Sequence, residues 1–254
     1  MSYLDIHAHF ADESYSFPEE WEKILAAGVE TVVLAGDNAR HSAMHREFCG
    51  SHAGAYFCAG VHPSETDGFG GETLAALKEL ARDEKCVAIG EIGLDYHYPE
   101  TDRAAQKKAF VAQLELADSL GLPVQIHSRD AAADTMEILR ANKTLLKRGF
   151  LLHCYSYSEE LMSEILSLGG YFSFGGVACF KNANRVCGCV RACPQDRILS
   201  ETDSPYLSPF RGEKNTPANI PVIVKRLAEL RGETEEALSR AVSENAKRLF
   251  AKLR

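Results

Sequence analysis

Short apolar runs alternate with longer amphipathic segments along nearly the whole chain, and this alternation restricts the fold more than any other feature. Eight runs rich in Val, Ile, Leu and Ala read as buried strands. These candidate strands are Tyr3–His7, Glu30–Ala35, Tyr56–Gly60, Cys86–Gly90, Pro123–His127, Gly149–His153, Gly170–Ser173 and Arg197–Ser200. The segments between them have helical periodicity, as in Thr101–Leu120. Eight strand–helix alternations predict an α/β protein with a TIM (β/α)8 barrel.

Alternation alone does not show that a parallel sheet closes, so a doubly wound open sheet is the alternative. The 254 residues contain no low-complexity linker and fit one barrel, and we therefore predict a single domain over 1–254. Three helices are predicted after the last strand, where they would cover the barrel wall. They are Ile220–Leu230, Glu233–Ser243 and Glu244–Leu253.

Charge and composition limit the partners. The net charge of −8 is unfavourable for a long positive groove along a duplex, so any nucleic acid would be gripped over a few nucleotides. No apolar run is long enough to span a membrane, and the first ten residues lack a signal-peptide core. We therefore predict a cytoplasmic protein that does not bind a membrane.

The eight cysteines are expected to be thiols in that reducing compartment. Cys187, Cys189 and Cys193 contain no CxxC pair, so they are predicted to pack in a helix rather than to bind a metal. Cys154 is predicted to pack on the strand face opposite His153.

Residues that commonly bind metals follow the carboxyl ends of the predicted strands. The first strand leads into His7 and His9, whose imidazoles share a face because strand side chains alternate. Other strands lead into His62, Glu91, Asp95, His127, His153 and Asp203. These ends meet at one face of a barrel, so a single metal centre accounts for the pattern better than unrelated loop residues.

His41 and His45 also have the spacing of ligands on a helix. They lie away from the strand ends, and the intervening position 42 is Ser rather than the Glu of a metalloprotease helix. We predict an exposed polar helix face for them and for His52.

Six motifs together resemble the TatD family of metal-dependent deoxyribonucleases over essentially the whole chain. They are Asp5-Ile6-His7-Ala8-His9, Gly60-Val61-His62-Pro63, Gly90-Glu91-Ile92-Gly93-Leu94-Asp95-Tyr96, Ile126-His127-Ser128-Arg129-Asp130, His153-Cys154 and Glu201-Thr202-Asp203-Ser204-Pro205-Tyr206. The resemblance implies a somewhat distorted TIM barrel, a divalent-metal site and phosphodiester hydrolysis, often from the 3′ end of single-stranded DNA.

The resemblance also implies site residues. It maps six metal ligands onto this chain, namely His7, His9, Glu91, His127, His153 and Asp203, with Glu91 bridging two metals and His62 contacting the substrate phosphate. Four imidazoles favour zinc, manganese or iron, whereas the resemblance points to magnesium. The predicted cofactors are therefore divalent ions, two per chain, of Mg, Zn or Mn.

The mechanistic hypothesis is hydrolysis by a metal-activated water, with Asp203, Glu91 and His62 as catalytic residues. Asp203 would take or orient the proton, and His62 and Arg129 would hold the non-bridging phosphate oxygens. A salt bridge to Asp130 or Asp134 is an equal alternative for Arg129. Positive charge for the substrate would come from Lys181, Arg211 and Lys214, and a base would stack on Tyr96, Tyr155 or Tyr206.

Three functions remain open from the sequence. The favoured one is a 3′–5′ exonuclease acting on single-stranded DNA ends, with RNA as a further substrate. The second is a metal-dependent hydrolase of a carbonyl ester or amide, such as an aminoacyl-tRNA ester. The third is a barrel without catalysis that serves as a binding protein. No obligate protein partner is indicated in any of them.

Overall fold

Eight parallel strands form one sheet in sequential order, from β1 to β8, in the computed structural model of the chain, which describes residues 2–9 and 17–253. The strands are β1 (Tyr3–Ala8), β2 (Val29–Leu34), β3 (Ala55–Ala59), β4 (Cys86–Asp95), β5 (Val124–Arg129), β6 (Phe150–Leu152), β7 (Gly170–Phe174) and β8 (Ile198–Ser200). All eight predicted strands are therefore present.

The outer layer consists of helices that follow the strands. They are α1 (Phe17–Ala26), α2 (Ala39–Ser51), α3 (Gly71–Leu80), α4 (Arg103–Leu120), α5 (Ala132–Ala141), α6 (Glu159–Ser167), α7 (Asn184–Ala192), α8 (Ile220–Arg231) and α9 (Glu235–Leu249). Short 3-10 helices occupy Pro63–Glu65, Lys143–Leu145, Gly176–Cys179 and Pro217–Asn219. None of the helices in the described ranges is long and apolar enough to cross a bilayer.

The sheet closes through β1 and the segment that follows β8. The Ser200 hydroxyl donates to the Leu4 carbonyl over 2.9 Å, and the Asp203 amide donates to the His7 carbonyl over 2.9 Å. The Asp5 carboxyl joins the same seam by accepting from the amide and the hydroxyl of Thr202, and burial raises the pKa of Asp5 to about 8. These contacts confirm the barrel and rule out the open sheet.

Strand β4 runs five residues past its predicted end because it stays paired with β5 as far as the Asp95–Arg129 register. Gly93 permits this close pairing. Its φ is +136°, and a Cβ at this position would lie 2.0 Å from the His127 carbonyl oxygen. The extension brings Glu91 and His127 onto neighbouring strands at the same end of the barrel.

In the described part of the chain two α-helices, not three, follow β8, so the predicted break between Ser243 and Glu244 is wrong. Neither residue breaks a helix, and the buried positions Leu238, Val242 and Ala246 continue at intervals of four through this point. Helix α9 therefore packs on the barrel as one unit.

Asn245 fastens α9 to the start of β8. Its buried Nδ2 donates to the carbonyls of Gln195 and Ile198 over 2.8 and 2.9 Å. Asn245→Ala leaves these carbonyls without their donor, and we expect a loss of about 1–3 kcal/mol in the free energy of unfolding. Urea denaturation measures it, and Lys247→Ala, on the exposed face of the same helix, should stay within about 0.5 kcal/mol of wild type. An unchanged midpoint for Asn245→Ala would contradict this role.

The prediction of an exposed polar face for the histidines of α2 is wrong for His45. His45 is completely buried, and His41 places Nδ1 2.9 Å from Asp37 Oδ2. His52 stacks on Phe48 with ring centroids 3.8 Å apart. His45 lies on the same buried side of α2 as Ser42, Phe48 and Cys49, so a polar residue falls on the inner side of this helix.

The cysteine prediction holds for the helix. All eight cysteines are free thiols, and Cys187, Cys189 and Cys193 are buried in and next to α7. They pack as small apolar residues.

Candidate metal centre

Four imidazoles and two carboxylates meet at the carboxyl ends of the strands. His7 lies on β1, Glu91 on β4 and His127 on β5, while the other three follow directly on strands: His9 after β1, His153 after β6 and Asp203 shortly after β8. Glu91 is 1% exposed and stands at the centre of this group, which we name the Glu91 cluster. The barrel thus brings together all six predicted ligands.

The two oxygens of Glu91 face different pairs of imidazoles. Oε2 lies 3.4 Å from His7 Nε2 and 3.6 Å from His9 Nε2. Oε1 lies 2.8 Å from His127 Nδ1 and 2.8 Å from His153 Nε2. One carboxylate therefore belongs to two donor sets, one on each side.

A second layer of polar side chains lies beside three of the imidazoles and hydrogen-bonds to two of them. Gln125 Oε1 lies 3.0 Å from His7 Nδ1, and Asp37 Oδ1 lies 2.9 Å from His9 Nδ1. Glu201 Oε2 is 3.7 Å from His153 Nδ1. When the proton of each ring is on Nδ1, each Nε2 presents a lone pair to the Glu91 cluster, as in carboxylate–histidine–metal arrangements.

The cluster fits a divalent cation. The Nε2 atoms of His7 and His9 are 3.2 Å apart, so in this tautomer two lone pairs point at each other unless a cation lies near both. Glu91 Oε2 is buried and has no hydrogen-bond donor among the described residues. Two groups of ligand atoms, His7–His9–Glu91 and Glu91–His127–His153, each lie within 4.8 Å of one another and share Glu91. Mixed imidazole and carboxylate ligands suit zinc and similar metals.

The electrostatics favour positive charge at the centre. Burial alone would raise the pKa of Glu91, but the imidazoles of His153 and His7 outweigh burial and hold it well below its usual range. Burial would lower the pKa of His9, yet Asp37 and Asp203 raise it well above its ordinary value. A cation held by the cluster would add compensating charge beside these buried carboxylates.

Asp203 stands where the Glu91 cluster meets the open space above it. Its Oδ1 lies 3.3 Å from His9 Nε2, and its side chain is 14% exposed. Burial alone would raise the pKa of Asp203, but the hydrogen bond to His9 and the nearby imidazoles outweigh burial. The pKa is lowered overall, and the carboxylate is ionised. Its backbone is left-handed, with φ +56°, a conformation that non-glycine residues adopt mainly at constrained sites.

A cavity of about 760 Å³, which we name the catalytic cavity, opens above the cluster. His62 lies on its wall with Nδ1 accepting from the Ser64 amide over 3.1 Å. Its proton is therefore on Nε2, which is 3.9 Å from Glu91 Oε1. Burial lowers the pKa of His62 to about 4, so the ring is neutral and Nε2–H is a donor at the edge of the cluster.

Arg129 lines the catalytic cavity, and neither predicted salt bridge forms. Asp134 binds Lys107 Nζ over 2.8 Å, and Asp130 lies 3.2 Å from His97 Nδ1. The guanidinium is instead 6.0 Å from the ring of Tyr98.

The three candidate stacking tyrosines separate in the structure. Tyr155 is buried in the core, and the Tyr96 hydroxyl donates to Asp134. Tyr206 is 54% exposed and lines the catalytic cavity. Tyr155 and Tyr96 are therefore packing residues, and Tyr206 alone of the three is exposed to a substrate.

The prediction that Cys154 packs on the opposite strand face is also wrong. Its φ of +45° turns the chain after β6, and it lines the catalytic cavity instead of packing on the outer face. The strand ends at Leu152, so the alternation used for the prediction does not extend to this residue.

Sequence reasoning missed the second layer. Asp37 follows the carboxyl end of β2, so the strand-end rule would have found it if applied to that strand. Glu201 lies within a recognised motif and accepts from the Ser173 hydroxyl over 2.6 Å. Gln125 lies inside the buried strand β5, and apart from its polarity no sequence feature marks it as part of the site.

Gln125 gives a direct test of the second layer. Gln125→Leu removes the acceptor for His7 Nδ1 and the donor to the Ile6 carbonyl, so His7 loses its fixed orientation. We expect metal affinity to fall by roughly 10- to 100-fold, as for other outer partners of metal-binding histidines. Calorimetric titration with Mn²⁺ measures it. Asn245→Ala, which removes a buried hydrogen-bond donor outside the Glu91 cluster, is the control and should bind metal normally. Normal binding by Gln125→Leu would contradict the orienting role.

A closed (β/α)8 barrel with a buried histidine–carboxylate cluster at the strand ends is an arrangement typical of metal-dependent hydrolases. The profile of the family described as TatD related DNase matches residues 4–251, and the chain belongs to that family.

Relatives agree with this assignment. The chain is 38% identical over 251 residues to the uncharacterized metal-dependent hydrolase YabD of Bacillus subtilis, covering 97% of this chain and 98% of the relative. It is 35% identical to the 3′-5′ ssDNA/RNA exonuclease TatD of Cronobacter sakazakii, covering 89% of each chain. The crystal structure of YJJV, a TatD homolog from Escherichia coli K12, superposes with a TM-score of 0.91 at 27% identity, covering 98% of each chain.

Proposed function

We propose that this protein is a 3′–5′ exonuclease that hydrolyses phosphodiester bonds at the ends of single-stranded DNA, with RNA as a further substrate. The observation that carries the proposal is the Glu91 carboxylate, whose two oxygens face two separate pairs of imidazoles at the floor of an open cavity. A relative named as a 3′-5′ ssDNA/RNA exonuclease supports the same substrate class.

We assign the six residues of the Glu91 cluster as ligands of two divalent ions per chain, of Mg, Zn or Mn. His7, His9 and Asp203 lie on the Oε2 side of Glu91, and His127 and His153 lie on its Oε1 side. Bound divalent ions would make water a stronger acid and offset the negative charge that develops on the phosphate.

The remaining chemistry comes from the chain itself. Asp203 is ionised and faces the catalytic cavity, so its carboxylate can accept the proton of the attacking water. His62 would donate Nε2–H to one non-bridging phosphate oxygen, and Arg129 would bind a second one through its guanidinium fork. Tyr206 would stack on the terminal base.

The site is complete within one chain, because every residue of the Glu91 cluster comes from the same barrel. We therefore propose that the chain works as a single domain without an obligate protein partner. Its eight free thiols fit the reducing cytoplasm.

The test is cleavage of single-stranded DNA that carries a label at its 5′ or its 3′ end. With metal, the wild type should release 3′ mononucleotides from the outset and shorten the 5′-labelled strand stepwise. Asp203→Asn and Glu91→Ala should lose this activity. Asp130→Asn removes a carboxylate from an exposed position near the cavity rim and should cleave like wild type.

Two results would overturn the proposal. One is equal cleavage by wild type and by Asp203→Asn and Glu91→Ala. The other is the absence of nucleic-acid cleavage with any of the three metals, together with hydrolysis of an aminoacyl ester, which would assign the site to carbonyl chemistry.

A further inference from the structure

A second cavity of about 820 Å³ lies between the segments that follow β7 and β8. Phe180 and Lys181 line it from the first segment, and Phe210 and Arg211 line it from the second. We name this surface the aromatic groove. None of its residues belongs to the Glu91 cluster.

The aromatic groove adjoins the catalytic cavity. Val177 lines the catalytic cavity and Cys179 lines the groove, while on the other wall Leu207 lines the cavity and Ser208 the groove. The two walls touch each other at Gly176, where a Cβ would lie 1.9 Å from the Leu207 carbonyl oxygen. The same pair of segments therefore lines the aromatic groove and forms one part of the wall of the catalytic cavity.

Exposed aromatic rings are concentrated along these two spaces. Among the side chains that the structure describes, four aromatic residues are exposed: Tyr98 and Tyr206 at 54%, Phe210 at 43% and Phe180 at 40%. All four line either the catalytic cavity or the aromatic groove. Exposed aromatic rings that cluster around one site indicate a ligand-binding surface, whereas exposed rings scattered singly over the surface carry no such meaning.

The groove is locally basic in an acidic protein. Lys181 and Arg211 are both exposed, and Glu213 is the single acidic residue that lines the groove with them. In the described part of the chain, neither cation forms an ion pair with a carboxylate. Rings and cations on one surface suit bases and phosphates.

We infer that the aromatic groove binds the part of a single-stranded nucleic acid that lies upstream of the scissile phosphodiester. The inference rests on the proposed exonuclease function and specifies its substrate as an oligonucleotide several nucleotides long. Bases stack on Phe180 and Phe210, and backbone phosphates contact Lys181 and Arg211. Stacking needs unpaired bases and tolerates any base, so the groove selects single strands with little sequence preference.

The test compares a ten-nucleotide DNA with a dinucleotide as substrates of the metal-loaded enzyme. The wild type should have a higher kcat/KM for the longer strand. In the double variant Phe180→Ala/Phe210→Ala, the ratio of the two kcat/KM values should fall about tenfold or more, because each lost stacking contact weakens binding. Phe210→Trp should keep the ratio, and Leu25→Ala, an exposed apolar residue outside both spaces, is the control.

Charge gives a second readout. Arg211→Gln should reduce the slope of log Kd against log salt by about 0.7, the value for one lost phosphate contact with a single strand. An unchanged slope together with an unchanged length ratio in the double variant would overturn the inference.

A failure of the groove is distinguishable from a failure of the proposed function. Suppose that metal-dependent cleavage of DNA persists and that the ratio of kcat/KM for the two substrates is the same in wild type and double variant. The inference about the aromatic groove is then wrong, while the proposed exonuclease function is retained. If no DNA is cleaved, fluorescence anisotropy of a labelled ten-nucleotide strand in EDTA still tests the groove. Binding about tenfold weaker in the double variant supports it, and equal binding overturns it.

Discussion

Glu91→Ala should lower kcat/KM for single-stranded DNA by more than the 10- to 100-fold that is typical when an outer partner of a metal ligand is removed. The reason is that Glu91 faces both pairs of imidazoles, so its loss removes one donor from each set and leaves Asp203 as the remaining carboxylate of the cluster. Calorimetric titration with Mn²⁺ should show both binding events weakened, and kcat/KM on single-stranded DNA should fall in the same preparation.

Two variants control this result. Glu65→Ala removes a carboxylate from the wall of the same cavity, where it accepts from Asn38 Nδ2 over 3.2 Å, and should leave metal binding intact. His7→Ala takes a donor mainly from the Oε2 side of Glu91 and should weaken one ion more than the other. Normal affinity for two ions in Glu91→Ala would contradict the central position of this residue.

Asp203→Asn should lower kcat by about 10²- to 10⁴-fold, the range for loss of a general base. The amide has nearly the same shape as the carboxylate but does not accept a proton. The ionised Asp203 lies between His9 and the catalytic cavity, so the substitution also removes negative charge from the cluster. Single-turnover cleavage of end-labelled DNA measures the chemical step separately from product release.

Metal saturation separates the two effects of Asp203→Asn. At saturating Mn²⁺ the loss in kcat should remain, because the missing proton acceptor is not replaced by bound metal. Recovery of wild-type kcat at high metal would show that Asp203 acts through affinity alone and would exclude it as the base.

The barrel and the Glu91 cluster were predictable from the sequence because both follow from topology. In a barrel of parallel strands the carboxyl ends share one face, so His7, Glu91 and His153 had to come together once the strands were recognised. No distance information is needed for that step. The family resemblance then separated the six cluster residues from His62.

Other features depend on contacts that a one-dimensional pattern does not contain. Gln125 reaches His7 from a position 118 residues away, and nothing in its own strand marks it. Cys154 faces the catalytic cavity because its backbone is left-handed, which reverses the side predicted from alternation. His45 is buried because α2 presents it to the interior, although helical spacing alone made it look like part of a polar face.

Substrate contacts were the least predictable. For Arg129 the sequence allowed phosphate binding and a salt bridge equally. The salt bridge does not form because Lys107 pairs with Asp134 and His97 lies beside Asp130. The sequence indicated the cations Lys181 and Arg211 of the aromatic groove but not its rings, because Phe180 and Phe210 look like ordinary core residues until the folded chain exposes them.

Anomalous diffraction from crystals soaked in Mn²⁺ would locate the metal ions bound by the Glu91 cluster. We expect two manganese peaks per chain in this cluster, one on the His7 and His9 side of Glu91 and one on the His127 and His153 side. Crystals of Glu91→Ala should show weakened peaks at both positions. Manganese bound elsewhere, or no manganese in an enzyme that still cleaves DNA, would contradict this expectation.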